Sequence, residues 1–338
     1  MAGTVFVSGG SGYLAGFLIR QLVAEGWSVH TTVRTRAREA SVRSLLAVDD
    51  SRLKFFAADL NHDAGWKDAM AGCSHVAHVA SPLPAGAIKH PDDVIIPARD
   101  GALRALRAAS AAGVRRFVMT SSVAAIGSGR PKGVHTFTEE DWTDPYRPEV
   151  GPYAQSKTIA ERAARDWVDA QGGDIEFCTV NPSVILGPVW SGDYSASILA
   201  VKKLLEGSIP GCPDLGFGLV DVRDVADLHV RALNAPHMAG ERFIASGRSL
   251  KVVDIAQILK ARLGREGRRV PTRRLPDFLV RLAARFDPAL NHVIGELGSV
   301  RNFDASHAKA VLGWIARPAE ESIVDTARSL IDLGIVKV

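Results

Sequence analysis

Tyr153 and Lys157 lie four residues apart in a stretch, Pro152-Tyr153-Ala154-Gln155-Ser156-Lys157, whose leading proline suits the first turn of a helix. That spacing puts both side chains on one face. A phenol with a pKa near ~10 is a poor acid–base group at neutral pH, and an adjacent ammonium favours the phenolate and lowers that value. Upstream, Arg115 to Ser122 forms a strand that closes on hydroxyls. Ser122 there would hold a carbonyl or alcohol oxygen by a hydrogen bond while Tyr153 gives or takes its proton. Y-x-x-x-K alone is a common accident on helices; its place after a strand ending Thr-Ser-Ser and a glycine-turn strand makes it specific.

The glycine turn is Thr4-Val5-Phe6-Val7-Ser8-Gly9-Gly10-Ser11-Gly12-Tyr13-Leu14-Ala15-Gly16. A buried strand stops at Ser8, and from Tyr13 the apolar residues Leu14, Phe17, Leu18 and Leu22 recur at helical spacing. The spacing is G-x-x-G-x-x-A through Gly9, Gly12 and Ala15. A pyrophosphate would sit against Gly9, Ser11, Gly12 and the opening amides of Tyr13 and Leu14, where unpaired N–H groups and the positive helix end meet. The second strand, Ser28 to Val33, ends roughly 20 residues beyond this turn, where an acidic residue would bind ribose hydroxyls. Arg34-Thr35-Arg36-Ala37-Arg38 stands there instead. Arg34 and Arg38 fit a 2′-phosphate, hence NADP(H), the alternative being a solvated charged loop. Asp59, beyond strand three (Leu53 to Ala57), would take the adenine amino group with Leu60 on the ring, or would cap the next helix.

These residues need a scaffold of alternating strands and helices. Strand four, His75 to Ala80, runs into Ser81-Pro82-Leu83-Pro84 at the carboxyl edge of the sheet, the edge at which open α/β sheets bind ligands. His75 and His78 share that strand at a spacing suited to one face, but no third metal ligand is near, and no metal site is expected. A helix from Asp92 to Ala112 precedes strand five. The segment from Gly127 to Gly151 is irregular, and strand six, Ile175 to Val180, is followed by a turn at Asn181-Pro182. A helix is expected from Tyr194 to Gly207 and a loop from Gly211 to Gly218. Asp221 to Ala235 returns to the nucleotide domain, with Asp221 and Asp224 in capping and salt-bridging roles. Helices close the chain at Val252–Leu263, Pro276–Phe286, Ala305–Leu312 and Glu320–Leu333. The expected fold is α/β: a doubly wound parallel sheet (Rossmann) over 1–182, rejoined by 216–246, with a smaller C-terminal substrate lobe from 183–215 and 247–338.

With 338 residues, 46% of them apolar, the chain can bury a large core. A net charge of +4 does not mark a nucleic-acid binder. The basic run from Lys260 to Arg274 lacks interleaved aromatics and suits a solvated surface. Cys73, Cys178 and Cys212 lie far apart, fitting a reducing cytoplasm. Strand one begins right after Met1-Ala2, leaving no room for a signal peptide, and no apolar run spans a bilayer.

Taken together, the ordered motifs resemble those of an extended short-chain dehydrogenase/reductase, in the dihydroflavonol-reductase-like branch with bacterial and yeast aldehyde and ketone reductases. The pieces are Val7 to Ala15, Thr32-Val33-Arg34, Ala58-Asp59-Leu60, His78-Val79-Ala80-Ser81-Pro82, Arg116 to Ser122, Tyr153 to Lys157, Asn181 to Pro188, and Asp221 to Ala226. The resemblance implies a Ser122-Tyr153-Lys157 site, with the serine the second of its pair and Ser121 the alternative, and Arg34 as the NADP-binding arginine. It also implies cofactor contacts from Val79, Ala80 and Ser81, from Tyr153 and Lys157 at the nicotinamide ribose, and from Pro182 to Val184 near the carboxamide. Asp100-Gly101 departs from the Asn-Gly of many relatives, so Asp100 is left out of the site. The implied activity is NADPH-dependent reduction of an aldehyde or ketone in the cytoplasm by a monomer or homodimer. A sugar epimerase or dehydratase, an alcohol or hydroxysteroid dehydrogenase, and a non-enzymatic NADP sensor remain the alternatives.

Overall fold

The computed structural model describes residues 3–82, 88, 90–171, 173–192, 194–283, 285 and 294–337. Short β-branched and aromatic runs form parallel strands buried on both faces: β1 (Thr4–Val7), β2 (Ser28–Val33), β3 (Leu53–Ala57), β4 (His75–His78), β5 (Arg116–Thr120) and β7 (Glu176–Pro182), joined by β10 (Arg242–Ala245). Among the described residues they make a seven-stranded sheet in the order β10-β7-β5-β4-β1-β2-β3. The strand order reverses between β1 and β4, which opens a crevice at their carboxyl ends. One face of the sheet is covered by α1 (Tyr13–Ala24) and α8 (Val222–Asn234), which pack on each other, with α2 (Glu39–Leu46) beside α1. The other face carries α3 (Trp66–Met70), α4 (Asp92–Ala111) and α6 (Pro152–Gln171), with α4 lying along α6. The doubly wound parallel fold expected from the sequence is the one observed.

Several boundaries move for reasons of long-range pairing. Strand four stops at His78, because the Val79 and Ala80 N–H groups are taken by Ser8 Oγ, each at 2.9 Å. The Asn181-Pro182 turn is instead the end of β7: Asn181 and Pro182 lie opposite Ile244 and Ala245 of β10, and the Pro182 carbonyl accepts from Val123 N at 3.0 Å. A short helix, α5 (Ala124–Gly127), leads into the segment expected to be irregular, which itself contains β6 (Val134–Phe137), and the loop expected up to Gly218 gives way to β9 (Gly216–Asp221). These strands build a second sheet in the order β11-β9-β12-β6, with β8 (Val184–Leu186) beside β9, β11 at Ser249–Lys251 and β12 at Val300–Phe303. Its partners are far apart in the chain, so no local pattern announces it. The strand at 216–221 therefore pairs in the second sheet, and α8 and β10 after it belong to the first. His75 and His78 point to opposite faces, as a period of two requires: His75 packs on Trp27, His78 on Trp66 and Phe117.

The second sheet is packed by α7 (Ala196–Glu206), α9 (Val252–Leu263) and α12 (Ala319–Asp332), which share an apolar cluster through Ile198, Leu205, Leu259 and Ile323. Among the described residues, two further helices, α10 (Asp277–Ala283) and α11 (Ser306–Leu312), belong to the C-terminal part. Of the helix expected to reach Phe286, Arg285 is in a turn, and Ala284 and Phe286, like Leu83 and Pro84 of the loop after Ser81, lie outside the described residues. Two sides of the crevice wall are fixed by contact distances. Gly9 sits at φ +71°, and a Cβ there would stand 3.0 Å from Ala80 Cβ; a Cβ on Gly10 would stand 2.4 Å from Thr31 Oγ1. Gly10→Val is expected to destabilise the protein by about 1–3 kcal/mol, whereas Gly192→Ala, which adds its methyl in open space, leaves thermal unfolding within about 0.5 kcal/mol of the original.

Candidate active site

The crevice begins where β1 and β4 end. Ser8 is buried, and its hydroxyl oxygen accepts from Val79 N and Ala80 N, leaving its own proton for His78 Nδ1 at 3.2 Å. The imidazole proton then sits on Nε2, and burial, with the Lys157 charge adding to it, pushes the His78 pKa down to about 3. Gly9 N donates to Thr32 Oγ1 at 2.9 Å, Gly10 N to the Thr32 carbonyl at 2.8 Å and Gly12 N to the Gly9 carbonyl at 2.8 Å, which closes the turn. Gly12 is the N-cap of α1 and brings no side chain to the helix end. The first-turn amides of Tyr13, Leu14 and Ala15 have no intrahelical acceptor there, so this cradle fits a diphosphate.

The other expected cofactor contacts divide into those that face the crevice and those with work elsewhere. Leu60, Ala80, Ser81 and Lys157 line one cleft together with His78 and Thr120. Arg34 is exposed at the end of β2, and Arg38 ends a short 3-10 turn. Arg36, between them, is committed to the Phe55 carbonyl and to Glu39. Asp59 Oδ1 accepts from Asn61 N at 2.8 Å and so closes a local turn; it does not cap the next helix, α3, whose N-cap is Gly65. Leu14 is core, and the Tyr13 ring turns inward to meet Phe17 edge-on, with its hydroxyl buried and unpaired; both can offer a ligand only their backbone. Pro182 and Val184 sit at the junction of β7 and β8.

The structure brings Ser122, Tyr153 and Lys157 together. The β5–β7 ladder is continued past the strand by Ser121 N to the Val180 carbonyl at 2.8 Å, which sets Ser122 at the sheet edge. Ser122 Oγ accepts from Ala124 N at 3.1 Å and hydrogen-bonds the Tyr153 hydroxyl. Tyr153 as a residue is 41% exposed, while its phenol group is desolvated by the surrounding protein. Burial pushes the phenol pKa up, and the Ser122 hydrogen bond opposes this only in part. The expected lowering by Lys157 is not observed. The Lys157 ammonium is itself desolvated, points to the Thr120 carbonyl at 3.5 Å and has its pKa pulled down to about 8, against an upward pull from Glu161. Ser121 is no substitute for Ser122, because its hydroxyl donates to Glu161 Oε2.

Other candidates resolve into structural roles. Asp221 caps α8 through Arg223 N at 2.9 Å and pairs with the Arg223 side chain, and Asp224 holds Arg317. Asp100 pairs with Arg99 at 2.7 Å, and Gly101 beside it leaves room for Leu60, which a Cβ would approach to 3.0 Å. Sequence reasoning missed Ser8 and Thr32 as the tethers of the turn, and Glu161 behind Lys157. Glu161 had a signal: it is one further helical step of four from Lys157.

A family model described as the NAD dependent epimerase/dehydratase family matches residues 5–245. A cinnamoyl-CoA reductase of Medicago truncatula is 33% identical over 264 residues, covering 76% of this chain and 78% of that protein. An anthocyanidin reductase of Vitis vinifera is 30% identical over 275 residues, covering 77% and 80%. Among solved structures, the yeast methylglyoxal/isovaleraldehyde reductase complexed with NADPH superposes with a TM-score of 0.80 at 24% identity, covering 98% of this chain and 100% of that one.

The buried ammonium carries a stability consequence. Its folded pKa of about 8 lies below the ordinary 10.5, so the unfolded chain binds the extra proton between those values and the cost of burying the charge is fully present below pH 8. Lys157→Met is expected to raise stability at pH 7 by up to about 3 kcal/mol, with the gain over the parent shrinking as pH rises from 8 toward 10, as read by urea unfolding at the two ends of that range.

Proposed function

Because the chain belongs to the NAD dependent epimerase/dehydratase family, within the extended short-chain dehydrogenase/reductases, we propose that it is an NADPH-dependent carbonyl reductase in which Tyr153 is the proton donor to an aldehyde or ketone. The observation that carries this reading is the Tyr153 phenol, hydrogen-bonded to Ser122 and held protonated by burial at the sheet edge that also bears Lys157 and the glycine cradle. A protonated phenol hydrogen-bonded to the serine that would hold the substrate oxygen is poised to donate, which is what carbonyl reduction requires. The relatives, which are reductases by name, agree.

In this mechanism Ser122 orients the substrate oxygen by hydrogen bonding and Tyr153 Oη–H lies along the path to it. When bound, NADPH supplies the hydride to the carbonyl carbon. Tyr153 gives its proton to the carbonyl oxygen, so that the product is the alcohol, and the phenolate left behind is stabilised by the Lys157 ammonium. Gly9, Ser11, Gly12 and the amides of Tyr13 and Leu14 receive the diphosphate; Arg34 and Arg38 receive the 2′-phosphate; Leu60 and the Val79-Ala80-Ser81 exit flank the adenosine half; Pro182 and Val184 stand at the nicotinamide end. Asp59 keeps its turn-closing bond to Asn61 N and contributes through backbone placement. The part of the chain built on the second sheet and on α7, α9, α10 and α12 walls the substrate side. Two arginines beyond β2 favour NADPH over the tightly held NAD of an epimerase.

Tyr153→Phe is expected to lower kcat for carbonyl reduction by about 10²–10⁴-fold while NADPH affinity, followed by fluorescence titration, stays within about threefold. A Tyr153→Phe protein with undiminished turnover would sink the mechanism. Arg34→Ala is expected to weaken NADPH by about 10–100-fold, the scale of a charge-assisted phosphate contact, and to leave NADH constants nearly unchanged; equal losses for both cofactors would remove the 2′-phosphate assignment.

A further inference from the structure

One helical turn past Lys157 on α6, Glu161 is a carboxylate with no exposed surface. Its Oε1 accepts from Arg242 Nε at 2.8 Å and stands 3.2 Å from Thr179 Oγ1 and 3.4 Å from Arg165 Nε. Its Oε2 accepts from Asn181 Nδ2 at 2.9 Å and from the Ser121 hydroxyl. An isolated carboxylate buried this far would take up a proton. Burial does push its pKa upward, but Arg242, Arg165 and the hydrogen bonds together outweigh it and hold Glu161 ionised. Arg242 is fixed in turn by Trp142, whose ring lies 3.8 Å below the guanidinium, and by the Asp141 carbonyl at 3.0 Å.

Two of these donors lead directly to the site. Ser121 is the neighbour of Ser122, and Asn181 Nδ2 also bonds the Ser122 carbonyl at 3.2 Å. On the helix side Glu161 is the negative charge nearest Lys157 in sequence, at the i,i+4 spacing. The titratable groups facing this region are His78 from β4, neutral at physiological pH, Tyr153, Lys157, Glu161 and Arg165 from α6, Arg242 from β10, the buried thiol of Cys178 from β7, and His229 from α8, which bonds Thr120 Oγ1 at 2.7 Å and is held neutral by burial.

We propose that Glu161 is a positioning residue of the reduction: through Ser121 and Asn181 it fixes the backbone that carries Ser122, and it is the counter-charge that keeps the Lys157 ammonium protonated, with Arg242 acting against it. The inference rests on the reductase reading for its kinetic part, and for the rest on the hydrogen bonds through Ser121 and Asn181 and on the i,i+4 placement of Lys157 and Glu161 on α6. Loss of the carboxylate charge should lower the Lys157 pKa further, and loss of the Arg242 charge should raise it, because the carboxylate is then less neutralised.

The test is an NMR titration of 13Cε-labelled lysine in the cofactor-free protein, its Glu161→Gln and its Arg242→Gln variants, alongside the pH profile of NADPH-dependent kcat/KM. The Lys157 midpoint is expected to fall by about one pH unit, a tenfold change in proton affinity, in Glu161→Gln and to rise in Arg242→Gln, with the alkaline limb of kcat/KM moving the same way. A purely structural role would lower kcat in both variants and move neither midpoint, and that outcome, or shifts of the same sign, overturns the proposal. Ser121→Ala, which changes no charge, covers the case of a variant that does not fold: it is expected to lower kcat several-fold with the midpoint unmoved, and unchanged kcat overturns the positioning part. A wild-type protein that reduces no carbonyl removes the reductase reading, while the lysine midpoints still decide the counter-charge.

Discussion

One hydroxyl oxygen, Ser8 Oγ, accepts the two backbone N–H groups by which the chain leaves β4. A parallel sheet ends by exposing amides that no neighbouring strand can satisfy, and at the point where strand order reverses those amides are also the walls of the crevice. Satisfying two of them from the end of β1 draws the two strand ends together, so that Gly9 comes against Ala80 at a distance that leaves no space for a side chain. The glycine turn, the close wall and the imidazole beneath it depend on that tether. His78 is neutral because it is buried beside the Lys157 charge, and its Nδ1 is left to accept a hydrogen bond from Ser8 Oγ. A neutral ring there adds no positive charge beside Lys157.

The second half of the site depends on burying charges in a compensated group. Lys157 and Glu161 are both removed from water, and each would be costly alone. The two guanidinium groups behind Glu161 and the hydroxyl and amide donors in front of it spread the compensation over α6, β7, β10 and the end of β5. These are the elements whose relative placement sets where Ser122 meets Tyr153. The phenol then lies at the edge of this charged layer. Desolvation keeps its proton on, and the ammonium nearby is available to the phenolate once the proton has left.

Local chemistry in the chain was enough to locate the nucleotide half of the fold. Strands such as Ser28–Val33 and Leu53–Ala57 are short, β-branched or aromatic, and bounded by turns, and they form over those residues. The glycine turn and the helical periodicity from Tyr13 likewise specify strand, turn and helix, because backbone freedom at glycine and a 3.6-residue apolar repeat are properties of adjacent residues. The Tyr153–Lys157 spacing fixes a shared helix face in the same way.

What adjacent residues could not determine was anything set by partners distant in the chain. The second sheet pairs Val134–Phe137 with Val300–Phe303, and neither stretch has a pattern that names the other. Asn181-Pro182 looks like a turn until β10 supplies the neighbour that keeps it extended. The direction of the Tyr153 pKa is illegible in the chain for a related reason: proximity of an ammonium in sequence is a local fact, whereas desolvation and the orientation of Lys157 toward Thr120 arise only when strand, helix and sheet edge are packed. The sequence by itself determined which groups are present and which share a face. Tertiary structure decided which are dry, which are already paired and which are left to face a ligand, because burial and long-range hydrogen bonding are properties of the packed chain.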